Sequence, residues 1–230
     1  RRHSFPTRRS SDLAHSGSSP IQAEIILLTR NVSVFGASAT LQAYVTINAT
    51  ATVDCDWAEF YWLGSGTSGK RGIEIQTTTG SCSFQYCSRY NSTVSNSQGF
   101  SVTSTSGSSI TISNCNVYNI ASSLLLNAAT SGVHTYDGNF FMRSISSDSV
   151  FLSDIGCTYT NNVSVGAAQA GVTLNQTSAL GTFSGNVSHG NTFGFVFTAV
   201  LNASDGTILN CVAWRNGGAG LSIGGNNLIV

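Results

Sequence analysis

The chain has little charge, little proline and no long apolar run. Charged residues make up 9% of its 230 residues, and it contains two prolines and one methionine. No apolar stretch approaches the roughly 18 residues of a membrane-spanning helix, so the sequence predicts no membrane span. It has one lysine, Lys70, and no basic cluster downstream of residue 13. That scarcity argues against nucleic-acid binding, which neutralises phosphates with clustered Lys and Arg, and against a polybasic membrane-surface patch.

Residues 1–13 differ from everything that follows them. From His3 to Leu13 the run HSFPTRRSSDL matches one reading frame of a common sequencing adapter. We therefore interpret residues 1–13 as a sequencing-adapter translation artefact rather than a basic arm or targeting peptide. Four of the ten basic and one of the ten acidic residues lie there, which leaves six and nine and a net charge of −3. Residues 14–23 are interpreted as a lead-in, disordered or the remnant of a preceding all-β domain.

The remaining composition favours an all-β protein. Serine and threonine fill about a quarter of the positions, and asparagine and glycine are abundant. A hydrophobic content of 41% is enough for a large core. A chain rich in β-branched and small polar residues, without leucine-rich helical runs, is typical of strands.

A repeat of about two dozen residues predicts the architecture. A small residue followed by an apolar-x-apolar triplet recurs at intervals of 27, 24, 48, 23 and 26 residues, with the small residue at 72, 99, 123, 171, 194 and 220. The alternation places the two apolar side chains inward and the middle one toward solvent. A second marker precedes it in phase, at Asn116-Val117, Asn162-Val163, Asn186-Val187 and Cys211-Val212.

Repeats this short bury their apolar face only by stacking on one another. We therefore predict an all-β fold, a right-handed parallel β-helix of eight to nine coils over residues 24–230, truncated at the C-terminus. Glycine before each triplet and asparagine before each valine are predicted at corners, because both tolerate the left-handed conformation. A β-sandwich is the alternative, but it does not require similar pairs every 24 residues.

The run from Glu24 to Val34, EIILLTRNVSV, resembles the segment that leads into the β-helix of fibrocystin-like proteins. Those proteins are related to cell-surface hyaluronan-depolymerising proteins. The stretches 161–166, 170–172 and 185–189 are similar to fibrocystin coils. The resemblance implies an extracellular or cell-surface β-helix within a larger, membrane-anchored protein.

The chain departs from this family where chemistry is expected. The family's strand with two histidines corresponds here to residues 71–76, with Glu74 and Gln76 at the histidine positions. Its Glu-Asp-Gly element corresponds to Asn127-Ala128-Ala129. The side chains of Glu and Gln cannot replace paired imidazoles in metal binding or proton transfer. We therefore expect a non-catalytic recognition or scaffold module, with no metal or cofactor, whose partner is a glycan or an extracellular protein.

Two alternative functions stay open. A carbohydrate-active hydrolase or lyase would work through Asp54, Asp56, Glu59 or Glu74, and these carboxylates must then converge on one groove. If Val53, Cys55 and Trp57 face inward, the two aspartates project outward together. The second alternative is the shaft of a microbial adhesin or tail spike, which shares this composition.

Cysteines and sequons give weaker signals. The six cysteines contain no CxxC pair, which argues against zinc. Cys82 and Cys87 are candidates for a local disulfide, or Cys87 and Cys115 stack as buried thiols. Cys115 and Cys211 are expected to be buried and unpaired. N-glycosylation sequons, seven in number, occur at Asn31, Asn48, Asn91, Asn162, Asn175, Asn186 and Asn202.

Overall fold

The chain forms an all-β parallel solenoid of about seven turns. The structure, a computed structural model, describes residues 32–77, 79–103, 107–129, 132–153, 156–175, 181–198 and 207–224. These residues contain 23 strands and no helix. Residues 1–13, residues 14–23 and the run from Glu24 to Asn31 lie outside them.

Each turn contributes one strand to each of three sheets. Sheet 1 contains β1 (Val32–Phe35), β4 (Ala58–Tyr61), β7 (Ser88–Ser92), β10 (Asn116–Ile120), β13 (Phe140–Ser144), β16 (Val163–Val165), β19 (Val187–His189) and β22 (Val212–Trp214). Sheet 2 contains β2 (Val45–Ala49), β5 (Ile73–Thr77), β8 (Phe100–Val102), β11 (Leu125–Asn127), β14 (Val150–Leu152), β17 (Ala170–Leu174), β20 (Phe193–Phe197) and β23 (Leu221–Ile223). Sheet 3 contains β3 (Val53–Asp56), β6 (Ser81–Gln85), β9 (Ser109–Ser113), β12 (Val133–Asp137), β15 (Thr158–Thr160), β18 (Thr182–Ser184) and β21 (Thr207–Leu209).

The predicted apolar pairs stack directly over one another in sheet 2. Ile73 and Ile75 pair with Phe100 and Val102 of the next turn in a parallel register, and all four are fully buried. In the same way Val172 and Leu174 of β17 pair with Phe195 and Phe197 of β20. This confirms the parallel stacking and excludes the β-sandwich. The 48-residue interval contains a further triplet, β14, whose preceding small residue is Ser149.

Two details of the predicted register are wrong. Leu125 and Asn127, rather than Leu124 and Leu126, align with the inward Phe100 and Val102. In sheet 1, Val163 pairs with Phe140, and Phe140 in turn pairs with Asn116. The residue in register with Asn162 is therefore Cys115 and not Asn116.

The corner between sheets 3 and 1 repeats the same two-residue geometry in every turn. Its first residue has a left-handed backbone, with φ between 52° and 66°, at Trp57, Tyr86, Asn114, Gly138, Asn161, Gly185 and Asn210. The second residue is mostly buried, at Ala58, Cys87, Cys115, Asn139, Asn162, Asn186 and Cys211. We call these two columns the outer and inner corner columns.

The glycines before the triplets have a different role from the one predicted. Gly99, Gly171 and Gly194 do not have left-handed φ values. A Cβ at Gly194 would instead collide with the backbone oxygen of Gly220, one turn away. These glycines are therefore required by the close approach of neighbouring turns, whereas the left-handed role belongs to the outer corner column.

Three asparagines of the inner corner column form a buried hydrogen-bonded ladder. The Oδ1 atoms of Asn139, Asn162 and Asn186 each accept a hydrogen bond from the main-chain N–H of the residue one turn earlier in the same column, at 2.9 Å. The three donors are Cys115, Asn139 and Asn162. Their Nδ2 atoms donate to main-chain oxygens of the preceding turn at 2.8–2.9 Å. Each asparagine thus pairs a buried main-chain N–H of the corner and adds a hydrogen bond to a buried main-chain oxygen.

Candidate recognition surfaces

The four candidate catalytic carboxylates lie on three different sheets. Asp54 and Asp56 project from β3 in sheet 3, Glu59 lies on β4 in sheet 1, and Glu74 lies on β5 in sheet 2. A hydrolase or lyase that uses all four would need them in one groove, about 5–10 Å apart. This structure does not bring them together, so the hypothesis of one four-carboxylate site is wrong.

Glu74 points away from the core but is buried, contrary to the prediction that the middle residue of a triplet faces solvent. It is 3% exposed. Its Oε1 accepts the main-chain N–H of Arg71 at 2.8 Å, and its Oε2 accepts from Gln76 Nε2 at 3.0 Å. The segment before β5 folds over this face, where Thr46 Oγ1 donates to the main-chain oxygen of Gly69 at 2.9 Å. Glu74 therefore anchors the segment that precedes it.

Asp54 and Asp56 are exposed, as the alternation predicts. Asp54 lines a shallow open groove of about 340 Å³ on the outer face of sheet 3, together with Ser81, Ser83, Gln85, Ser109 and Thr111. Partial desolvation and then the charge of Asp54 raise the pKa of Asp56. The two carboxylates therefore form an acidic edge beside a groove lined by hydroxyl groups.

Trp57 is exposed rather than inward-facing, because the corner interrupts the alternation after Asp56. Its side chain is 58% exposed, and Tyr86 in the next turn is 46% exposed. The two rings stack with centroids 4.5 Å apart and an interplanar angle of 9°. Both residues occupy the left-handed outer corner column, a conformation that is costly for bulky side chains. They place an aromatic platform next to Asp56 and Gln85.

A stripe of mostly aromatic and apolar side chains follows the outer face of sheet 1. In register it contains Phe35, Tyr61, Tyr90, Tyr118, Met142, Val165, His189 and Trp214. The first four rings stack face to face with centroids 4.9–5.6 Å apart. Their faces cover one another, so the tyrosines present edges and hydroxyl groups to solvent. Partial burial, and then the charge of Glu59, raises the pKa of Tyr90 and Tyr118.

The cysteines near the N-terminal turns form a buried thiol group, as in the alternative that stacks Cys87 and Cys115, and not the candidate Cys82–Cys87 disulfide. Cys82 and Cys87 are both free. The sulfur of Cys87 lies 3.9 Å from that of Cys55, and Cys115 follows Cys87 in the inner corner column. The hydrogen bond to Cys87, and then burial, raises the pKa of Cys55 and of Cys115, and burial raises that of Cys82 to about 11.

Cys115 is buried as predicted, whereas Cys211 is only partly buried. Cys211 lies in the last described turn, where no further described strand covers it. Burial raises its pKa. The raised pKa values of Cys55, Cys82, Cys115 and Cys211 disfavour the thiolate at neutral pH, so none of these four thiols is disposed to act as a nucleophile.

Two of the seven sequons are structural. Asn162 and Asn186 belong to the buried ladder and are 1% and 0% exposed, so their amides have no room for a glycan in the fold. Asn48 and Asn175 are exposed and Asn91 is half-buried; glycosylation of these three stays a prediction. Asn31 and Asn202 lie outside the described residues.

Comparison of the chain with protein-family models, with curated proteins and with solved structures finds no match in any of the three. Within the described ranges, no helix is long and apolar enough to cross a membrane. The same residues contain no group of three or more His, Cys, Asp or Glu side chains that could hold a metal ion.

Proposed function

We propose that this chain is an extracellular or cell-surface recognition module that binds a glycan without cleaving it. The observation that carries the proposal is the exposed Trp57–Tyr86 pair next to Asp54 and Asp56. Sugar rings have apolar faces that pack on aromatic rings and hydroxyl groups that donate to carboxylates. The aromatic corner and the acidic edge offer both on two adjacent turns.

The backbone at this corner supports a functional role. The outer corner column has asparagine or glycine in five turns and an aromatic residue only at Trp57 and Tyr86. A bulky residue in the left-handed region costs about 1–2 kcal/mol relative to its ordinary conformation. Strained residues of this kind concentrate at binding sites, where the surrounding structure holds them. Folding alone favours asparagine or glycine here.

The wider setting of the proposal comes from the resemblance of the chain to fibrocystin-like proteins. We propose that the solenoid is right-handed, since parallel crossover connections almost always are, and that it has eight to nine coils within a larger surface protein. The partner is a glycan in this proposal; an extracellular protein is the alternative. The adhesin or tail-spike shaft is a further alternative, and the run from Glu24 to Val34 argues against it.

Binding of the chain to a glycan array tests the proposal, with Trp57→Asn as the decisive variant. Asparagine occupies the same corner at Asn114, Asn161 and Asn210, so the variant is expected to keep the fold and lose binding. Tyr118→Leu, which removes an aromatic ring from the sheet 1 stripe, is the matched control and should bind normally. Absence of binding by the native chain, unchanged binding by Trp57→Asn, or depolymerisation of the bound glycan would each overturn the proposal.

A further inference from the structure

Sheet 3 carries a regular array of hydroxyl groups, one of which, Thr111, also lines the groove beside Asp54. Its first column contains Thr111, Thr135, Thr158 and Thr182, one per turn, and continues to Ser83 on one side and Thr207 on the other. Its second column, two residues further along each strand, contains Ser113, Asp137, Thr160 and Ser184. We call the eight positions on β9, β12, β15 and β18 the hydroxyl face. Seven of them bear hydroxyl groups.

The first column is accessible, and its four threonine hydroxyl groups have no hydrogen-bond partner among the described residues. Thr182 is exposed, and Thr111, Thr135 and Thr158 are half-buried. None of the four side chains makes a hydrogen bond to any residue that the structure describes. In the second column, Thr160 Oγ1 donates to Asp137 Oδ1 at 2.6 Å, which holds the one carboxylate of the face in place.

The array is rigid and evenly spaced. Behind it the inward residues Ile110, Ile112, Tyr136, Tyr159 and Phe183 are fully buried, and the β-branched threonine side chain is stiff at χ1. The register from β9 to β18 pairs residues one to one. Hydroxyl groups therefore repeat about 4.8 Å apart between turns and about 6.7 Å apart along each strand.

The chemistry of the face favours an ordered layer of water over a sugar polymer. A sugar must displace water from each hydroxyl group, and the net gain of an exchanged hydrogen bond is only about 1 kcal/mol. The eight positions include no aromatic ring or arginine that would add stacking to that small gain. A ligand that is itself water requires no such displacement, and the rigid threonines lose little conformational entropy when it orders.

We propose that the hydroxyl face binds ice. On the prism faces of hexagonal ice, oxygen atoms repeat in two directions at intervals comparable to those of the two columns. The face would order its own hydration layer into that lattice and join it to the crystal, so that many weak contacts add over the eight positions. This inference does not rest on the aromatic pair at Trp57 and Tyr86 that carries the proposed glycan site.

Thermal hysteresis and ice recrystallisation of the 230-residue chain test the proposal. The chain is expected to shape ice crystals and to slow their coarsening. Thr158→Lys, which places a long charged side chain across the first column, should lose most of this activity. Thr135→Val, which removes one hydroxyl group at nearly constant shape, should lose part of it. Val212→Lys alters an exposed residue of sheet 1 and should retain full activity.

Circular dichroism shows whether each variant keeps its fold. A folded native chain without effect on ice, or a Thr158→Lys variant as active as the native chain, would overturn the proposal. If the native chain sediments with a crystalline polysaccharide, the Thr158→Lys variant does not, and neither affects ice, the hydroxyl face binds a polysaccharide and the ice proposal is wrong. Trp57→Asn separates the two proposals, because it should abolish glycan binding and leave the effect on ice unchanged.

Discussion

Replacement of Asn162 by alanine is expected to destabilise the solenoid strongly. Asn162 Oδ1 accepts the main-chain N–H of Asn139 at 2.9 Å, and its Nδ2 donates to the main-chain oxygen of Tyr136 at 2.9 Å. Asn162→Ala leaves the Asn139 N–H unpaired and removes one hydrogen bond to the Tyr136 oxygen, and all three residues are at most 1% exposed. An unpaired buried donor costs about 1–3 kcal/mol and a lost hydrogen bond about 1 kcal/mol, so the free energy of unfolding should fall by about 2–4 kcal/mol.

The adjacent Asn161 provides a matched control. It is exposed, has a φ of 56° and donates to Asp137 Oδ1 at 2.9 Å. Asn161→Gly keeps the left-handed conformation that Gly138 and Gly185 adopt in the neighbouring turns. It removes only an exposed hydrogen bond, so the loss should stay below about 1 kcal/mol.

Urea unfolding gives the overall free energies, and hydrogen exchange at the Asn139 amide gives a local reading that does not require two-state unfolding of a repeat protein. The Asn139 amide should lose protection in Asn162→Ala and keep it in Asn161→Gly. Equal stabilities of the two variants, or unchanged protection at Asn139, would refute the assignment of the ladder as a stabilising element.

Two further predictions concern Asp56 and the thiols. The pKa of Asp56 is raised in the fold, so folding favours the protonated carboxyl over the ionised carboxylate. The stability that the protonated Asp56 contributes is fully present below the unfolded pKa of about 3.9. It is lost as the pH rises through the folded pKa. Asp56→Asn should therefore raise Tm at neutral pH, and melting curves should converge with those of the native chain in acid; a constant difference would contradict this. Among Cys55, Cys82, Cys87, Cys115 and Cys211, only Cys211 should react with a thiol reagent before unfolding, although its raised pKa slows the reaction. Labelling of buried Cys82 or Cys87 as fast as Cys211, or a mass that shows a disulfide between them, would contradict the buried thiol arrangement.

The period of the solenoid could be predicted from the sequence, but its register could not be predicted everywhere. Triplets such as Ile73 to Ile75 have one possible inward parity, since the middle residue is charged. The run Leu124 to Leu126 is apolar at all three positions and permits either parity. In the structure Leu125 and Asn127 face inward, so that Asn127 is buried in register with Val102. A preference for apolar residues at core positions would predict the opposite parity.

The exposed Trp57–Tyr86 pair could not be predicted from the inward–outward alternation of the strand, because that alternation ends at the turn. From Cys55 the period of two predicts Trp57 inward, but the left-handed residue at the corner breaks that period. A signal was present: Asn114, Gly138, Asn161, Gly185 and Asn210 recur at the repeat length, and extending that column toward the N-terminus reaches Tyr86 and Trp57. The burial of Glu74 had no comparable signal, because it depends on how the preceding segment folds over sheet 2.

The outer corner column has asparagine or glycine in five turns and aromatic residues at Trp57 and Tyr86. We therefore predict that the two aromatic residues of the proposed glycan site lower the stability of the solenoid. Replacing both aromatic residues, in Trp57→Asn/Tyr86→Asn, removes strain of about 1–2 kcal/mol at each position. It also removes one stacked pair, which contributes about 0.5–1.5 kcal/mol. The double variant should therefore unfold at a higher urea concentration than the native chain. If it unfolds at a lower concentration, the aromatic pair stabilises the solenoid by more than its backbone costs, and the strain argument for a binding role at this corner fails.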